Sequence, residues 1–397
     1  MKSRFHAIPV LAGAFFYAAL VLSPGSAAFA ADELQINVIL ALTGPGAFLG
    51  QGEQQALQLA QKTVNDAGGI SGRPVSFVFH DDQTNPQIAV QLATDLIAAK
   101  PAVILGSSLV ASCRAMMPLM TDGPVMYCFS PGIHPDPGGY VFTASTSTLD
   151  LADAAIRYFR MRGWKRVALI FSTDASGQDA EKGIDAILQK PENTDVKVVA
   201  REHFNPGDVT VSAQIARIKD SRPQALVAWS TGAAVANVFR GIQQAGLDIP
   251  VATTDGNMTY AQMNQYKDFL PRQLYIPAAQ WAVRDPTLLS AAVAAKNQVF
   301  YKTFEDSGAQ PDIASSLGWE PAMLVIDTLK KIGAGADAGQ LRTALSQIKT
   351  YAGVDGVYDF TATPQRGLDV SDTVVTRWAP VKNIWEVVSK PAGIPLN

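Results

Sequence analysis

Three glycines, Gly44, Gly46 and Gly50, follow an apolar run and open a stretch with helical spacing, "LTGPGAFLGQGEQQALQLAQK" from Leu42 to Lys62. Such a strand–turn–helix can cradle a phosphate on backbone N–H groups. The next apolar run ends in Asp81-Asp82, the place for an acid that meets a ribose. Against a dinucleotide stand the G-x-G-x-x-x-G spacing and the bulk of Phe48 and Leu49 where a phosphate would lie. Small hydroxyls offer other chemistry. Ser107 and Ser108, with Leu109 and Val110, lead into a helix whose free N–H groups can hold a carboxylate; helix capping by either serine is the plainer alternative. Ser130 and His134 share the loop "SPGIHP", where the histidine is either a titratable donor to a ligand or an exposed loop residue. Thr143 and Ser145 follow the next strand, and Ser176, Thr231, Asp255 and Asn257 sit at strand ends further on. Asp255 is either a ligand-facing acid or a helix cap. Phe48, Phe129 and Trp281 offer stacking surfaces, while Trp319 lies on a helix and reads as packing.

Catalytic signatures are missing from the sequence. It has no G-x-S-x-G elbow and no H-E-x-x-H, and beyond His6 its histidines are His80, His134 and His203. His80 beside Asp81 and Asp82 reads as a solvated turn, since three consecutive residues do not make a metal site. We therefore expect no enzyme, no metal and no cofactor.

The elements that must position these residues alternate regularly. "LQINVILAL" and "VSFVFHDD" read as buried strands, and helical patterns follow each, the second capped by Asn85 with Pro86 in its first turn. A second block from "LDLADAAIRYFRMRG" to "PVATTD" repeats the rhythm. Alternation of this kind indicates βαβ units and parallel sheets, here two doubly wound α/β lobes. Lys2 and Arg4, the apolar run Ile8 to Leu22 and Ala28-Phe29-Ala30 have the form of a signal peptide over residues 1–30, cleaved after Ala30. At about 15 residues that run is short for a membrane span, which needs roughly 20. The 397-residue chain carries a net charge of −3 and no basic tail, so nucleic acid is excluded as a partner. Two cysteines, Cys113 and Cys128, read in an oxidising compartment as one disulfide, with two buried free thiols as the alternative.

The stretches "LTGPGAFLGQGEQQALQLA", "NDAGGISGRPVSFVFHDDQTNP", "GPVMYCFSPG" and "DGVYDF" resemble the type I periplasmic solute-binding proteins of ABC importers, the group with the branched-chain amino-acid carriers. The resemblance runs from about Leu34 to Val388. It implies two Rossmann-like lobes joined by three hinge crossings, lobe 1 from 31–146 and 257–365 and lobe 2 from 147–256 and 366–397. It further implies a monomer in the periplasm that closes on a small molecule and is read by a permease of the inner membrane. A ligand-sensing module on the same fold is the competing reading. Where amino-acid carriers have two acids for the α-ammonium group, this chain matches one, Asp255, and has Thr148 at the other position. Ser176 stands where relatives carry a large aromatic side chain, and Val110 where they carry a serine. These departures lead us to expect an aromatic carboxylate in preference to a branched-chain amino acid.

Overall fold

The computed structural model describes residues 1–2 and 33–396. The expected signal peptide and its cleavage site fall largely outside the described residues. The first sheet is built from β1 (Leu34–Leu40), β2 (Val75–Asp81), β3 (Val103–Leu105), β4 (Val125–Cys128) and β5 (Val141–Thr143), all parallel, in the order β2-β1-β3-β4-β5. Helices α1 (Ala47–Asp66), α2 (Pro86–Ile97) and α3 (Val110–Met116) connect them. Asn85 caps α2 by accepting from the Gln87 N–H, and Pro86 takes its first position.

The glycine loop serves packing. A Cβ on Gly50 would lie 2.1 Å from the Ala41 carbonyl oxygen, so only glycine lets α1 lie this close to the end of β1. Asp81 accepts from the N–H groups of Leu42, Thr43 and Gln83 and from the Thr43 hydroxyl, holding the loop in place. Burial raises the Asp81 pKa, but these bonds outweigh it and hold the carboxyl below its ordinary range. His80 bonds Asn37 at 3.0 Å. Neither residue is left for a ribose or a metal.

The chain then crosses into a second unit: α4 (Thr148–Met161), β6 (Arg166–Ser172), α5 (Ala175–Leu188), β7 (Lys197–Phe204), α6 (Ser212–Asp220), β8 (Ala225–Trp229), α7 (Ala233–Gln244), β9 (Val251–Ala252), α8 (Tyr260–Tyr266) and β10 (Leu274–Ala279). It returns to the first unit with α9 (Ala291–Asp306), α10 (Ile313–Ile332), α11 (Ala338–Ser346) and the short pair β11 (Tyr351–Ala352) and β12 (Val357–Tyr358). Finally β13 (Thr373–Ala379) and β14 (Ile384–Val387) rejoin the second sheet, ordered β14-β13-β10-β9-β8-β6-β7. The architecture is therefore two α/β lobes with three crossings, as expected.

One boundary differs. The return to lobe 1, expected at residue 257, comes after β10, which pairs in parallel with β9 and antiparallel with β13. The segment from Asn257 through α8 instead connects two paired strands of one sheet, β9 and β10.

Candidate functional site

Both lobes aim the carboxyl ends of their strands at a shared cleft, the usual place for a ligand in open α/β sheets. At its floor is a cavity of about 60 Å³. Lobe 1 contributes Leu49 from α1, Ser108 to Val110 at the start of α3, the turn Ser130-Pro131-Gly132, and Leu317 from α10. The second unit contributes Thr148, Ser176, Thr231 and the turn Thr254-Asp255-Gly256. Above it, the Phe48 ring reaches across to Gly232: a Cβ there would lie 3.0 Å from the ring, and the glycine φ is +68°.

Asp255 supplies the charge. It is 1% exposed; Oδ1 accepts from the Thr254 hydroxyl at 3.0 Å, while Oδ2 has no hydrogen-bond partner among the described residues. Burial pushes its pKa up to about 6, so it is mostly ionised at neutral pH. An ionised, buried oxygen without a partner is costly unless a ligand completes it.

Glu53 lies on α1, one turn beyond Leu49, with the Ser108 hydroxyl beside it. It is wholly buried, and burial raises its pKa to about 8, which leaves it predominantly neutral at pH 7. Sequence reading missed it because a glutamate in "GQGEQQ" looks like a solvated helix face. Arg366 was missed for the same reason in "PQRGLD". It is buried and donates to the carbonyls of Pro131, Ile133, Ala144 and Ser145, tying the cavity turn to the first crossing. Burial lowers its pKa to about 10, which still leaves it charged.

Of the residues singled out from the sequence, Leu49, Ser108, Leu109, Val110, Ser130, Ser176, Thr231 and Asp255 border the cavity, and Phe48 borders its mouth. The others do not. Phe129 and Trp281 are 0% and 1% exposed and belong to the apolar core. The Ser107 hydroxyl lies against Asp82 and the Leu109 N–H. The Thr143 hydroxyl donates to the Ser130 carbonyl at 2.6 Å. Ser145 is buried at the crossing with φ of 61°, its carbonyl bound by Arg366. The Asn257 amide accepts from the Gly232 N–H and donates to the Ser230 carbonyl and Thr253 hydroxyl, fixing neighbouring strand ends. His134 lies at the rim, 2.9 Å from Asp179 of α5, which also takes Arg114 of α3 at 2.8 Å. Cys113 and Cys128 form the expected disulfide, fastening α3 to β4. Among the described residues no group of side chains could hold a metal ion, and no helix is long and apolar enough to cross a membrane.

Residues 33–379 match the family model described as periplasmic binding protein, and the chain belongs to that family. That family is one of periplasmic binding proteins and is non-catalytic. Among relatives it is 25% identical to the leucine-, isoleucine-, valine-, threonine- and alanine-binding protein of Pseudomonas aeruginosa, over 59% of this chain and 63% of that one. It is also 25% identical to the leucine-specific-binding protein of Salmonella typhimurium, over 51% and 54%. The chain thus spans less than two thirds of the length of these curated relatives. A solved structure of the branched-chain amino acid transporter substrate binding protein LivJ from Streptococcus pneumoniae, in complex with isoleucine, superposes with a TM-score of 0.75. That match has 19% identity and covers 90% of this chain and 99% of that one.

These relatives overturn the expectation of an aromatic carboxylate: they are named for leucine and other small amino acids. The packing agrees with the correction: of the two aromatic platforms counted on for stacking, only Phe48 borders the cleft, because Trp281 is core.

Proposed function

We propose that the protein is the substrate-binding component of an ABC importer for a small aliphatic amino acid of the leucine, isoleucine and valine type. The observation that carries this reading is Asp255 Oδ2, buried at the cavity and without a partner among the described residues. An α-ammonium group suits that position because it offers a charge-assisted hydrogen bond to a group already desolvated. The hydroxyls of Ser108, Ser130 and Thr148 are the polar groups available to the rest of the head, and Leu49, Val110 and Leu317 form an apolar wall for the side chain. Ligand held by both lobes favours the closed form, which a monomeric carrier presents to a permease of the inner membrane. Names of relatives support the ligand class, and the single acid at this site is compatible with it.

Calorimetric titration with leucine, isoleucine and valine tests the reading. We expect micromolar or tighter binding of at least one, together with a smaller radius of gyration in small-angle scattering on saturation. Failure of all three to bind would overturn it.

A further inference from the structure

Outside the inner cavity the cleft widens into a second chamber of about 510 Å³. The two spaces are continuous. Leu109, Val110, Ser176 and Thr231 border both, and Ser176 is the residue of α5 among them. The outer walls are largely apolar, with Phe48, Pro86, Pro206 and Ala234 among them. Asp174 is the one carboxylate on that wall among the described residues. It caps α5, its Oδ1 accepting from the Ser172 hydroxyl at 2.9 Å and the Gly177 N–H at 3.0 Å. The buried charge for a ligand head sits in the inner cavity, at Asp255, while the outer chamber is mostly apolar surface.

Resting on the amino-acid reading above, we infer that the outer chamber receives the distal part of the ligand's side chain. The protein then accepts α-amino acids with straight apolar chains longer than leucine's, and Ser176 sets the length limit. A head anchored at Asp255 leaves room for little more than a small side chain within the inner cavity. A longer unbranched chain passes Ser176 and continues against Phe48 and Val110. Each methylene buried there strengthens binding about fourfold, the equivalent of its transfer out of water.

Calorimetric titration of the protein with leucine, 2-aminooctanoate and octanoate decides the matter, in the wild type and in Ser176→Tyr. We expect wild type to bind 2-aminooctanoate at least as tightly as leucine. Ser176→Tyr should weaken 2-aminooctanoate more than about tenfold and leucine less than about threefold. Leucine binding with 2-aminooctanoate more than tenfold weaker in wild type overturns the inference and leaves the amino-acid reading standing. Equal weakening of both ligands by Ser176→Tyr, with wild-type fold by circular dichroism, also overturns it. Octanoate binding as tightly as 2-aminooctanoate would remove the amino-acid reading but keep the chamber's role. Neither amino acid binding would remove both.

Discussion

Asp255 and Asp355 are both wholly buried carboxylates near the hinge, one in each lobe, and their surroundings treat them differently. Asp355, in the turn between β11 and β12, has both oxygens occupied: Ser316 donates to Oδ1 and Tyr358 to Oδ2. Its neighbour Glu320 accepts from the Val354 N–H at 2.8 Å, and burial pushes both carboxyls of this coupled pair upward. Asp255, on the cavity wall, has one oxygen supplied by its own lobe and one without a partner among the described residues. An acid completed by its own fold is a structural element, whereas one left half-completed at a cavity is prepared for a ligand. The difference lies in donors, since burial is the same.

The sharpest way to break this comparison is substitution of each acid by its amide. Asp255→Asn should weaken leucine binding about 100-fold, because losing one member of a buried charged pair costs about 2–5 kcal/mol. Asp355→Asn should change affinity by less than about threefold and instead lower the melting temperature. Titration calorimetry and thermal unfolding read the two effects; a reversed pattern would reject the assignment.

A change of pH sharpens the same contrast. An ammonium ligand needs Asp255 ionised, and its pKa is about 6. Leucine affinity should therefore be flat above pH 7 and fall about tenfold per unit well below 6. Binding measured near pH 6 should release a proton, seen as an enthalpy that varies with the ionisation heat of the buffer. Affinity independent of pH between 4.5 and 7 would remove Asp255 from the ligand.

Stability without ligand should run the opposite way. Glu53 titrates near 8 and Asp255, Asp312 and Asp372 near 6, all raised mainly by burial above their ordinary values near 4. A raised acid binds more protons folded than unfolded, so its contribution is complete below about pH 4 and is lost as pH rises through the folded value. The melting temperature of the ligand-free protein should drop by a few degrees between pH 6 and pH 8.5, about 2–4 °C per kcal/mol lost. A rise over that interval would show these acids ionised in the fold.

The smallest effect belongs to the rim. Asp179 joins lobe 2 to Arg114 and His134 of lobe 1, but both partners are about half exposed, at 40% and 56%. Asp179 itself is buried, but its partners remain open to water, which keeps each pair at about 1 kcal/mol, so Asp179→Asn should weaken leucine by about threefold, through faster dissociation. Stopped-flow release measures this, and an effect as large as that of Asp255→Asn would move the ligand's charge partner to the rim.

Much of this was legible in the sequence. Alternating buried strands and helices gave the two lobes because each element's pattern is local. Cys113 and Cys128 could be paired because they are the only two cysteines. Asp255 stood out at a strand end. What could not be read depends on contacts distant along the chain. Phe129 and Trp281 follow strand ends like true cleft residues, and only the packing of other segments buries them. His134 found Asp179, 45 positions away, in place of a ligand. Glu53 and Arg366 look like surface charges until α10 and the crossing segments cover them. The placement of β10 in the second sheet is likewise a matter of non-local pairing, invisible in "QLYIPAA" itself.

The crossings also set the order in which the molecule can be completed as it is made. The Thr143 N–H donates to the Gln365 carbonyl at 2.9 Å, and Arg366 reaches Ala144, 222 positions earlier. Neither lobe is one continuous stretch, so the contacts that finish the first wait for nearly the whole polypeptide to be synthesised. Closing so long a loop is entropically unfavourable and slow. A polypeptide released before Gln365 would lack the carbonyl and the arginine that close the first half and the strands β13 and β14 that complete the second, so truncation there should cost the whole fold and not one lobe.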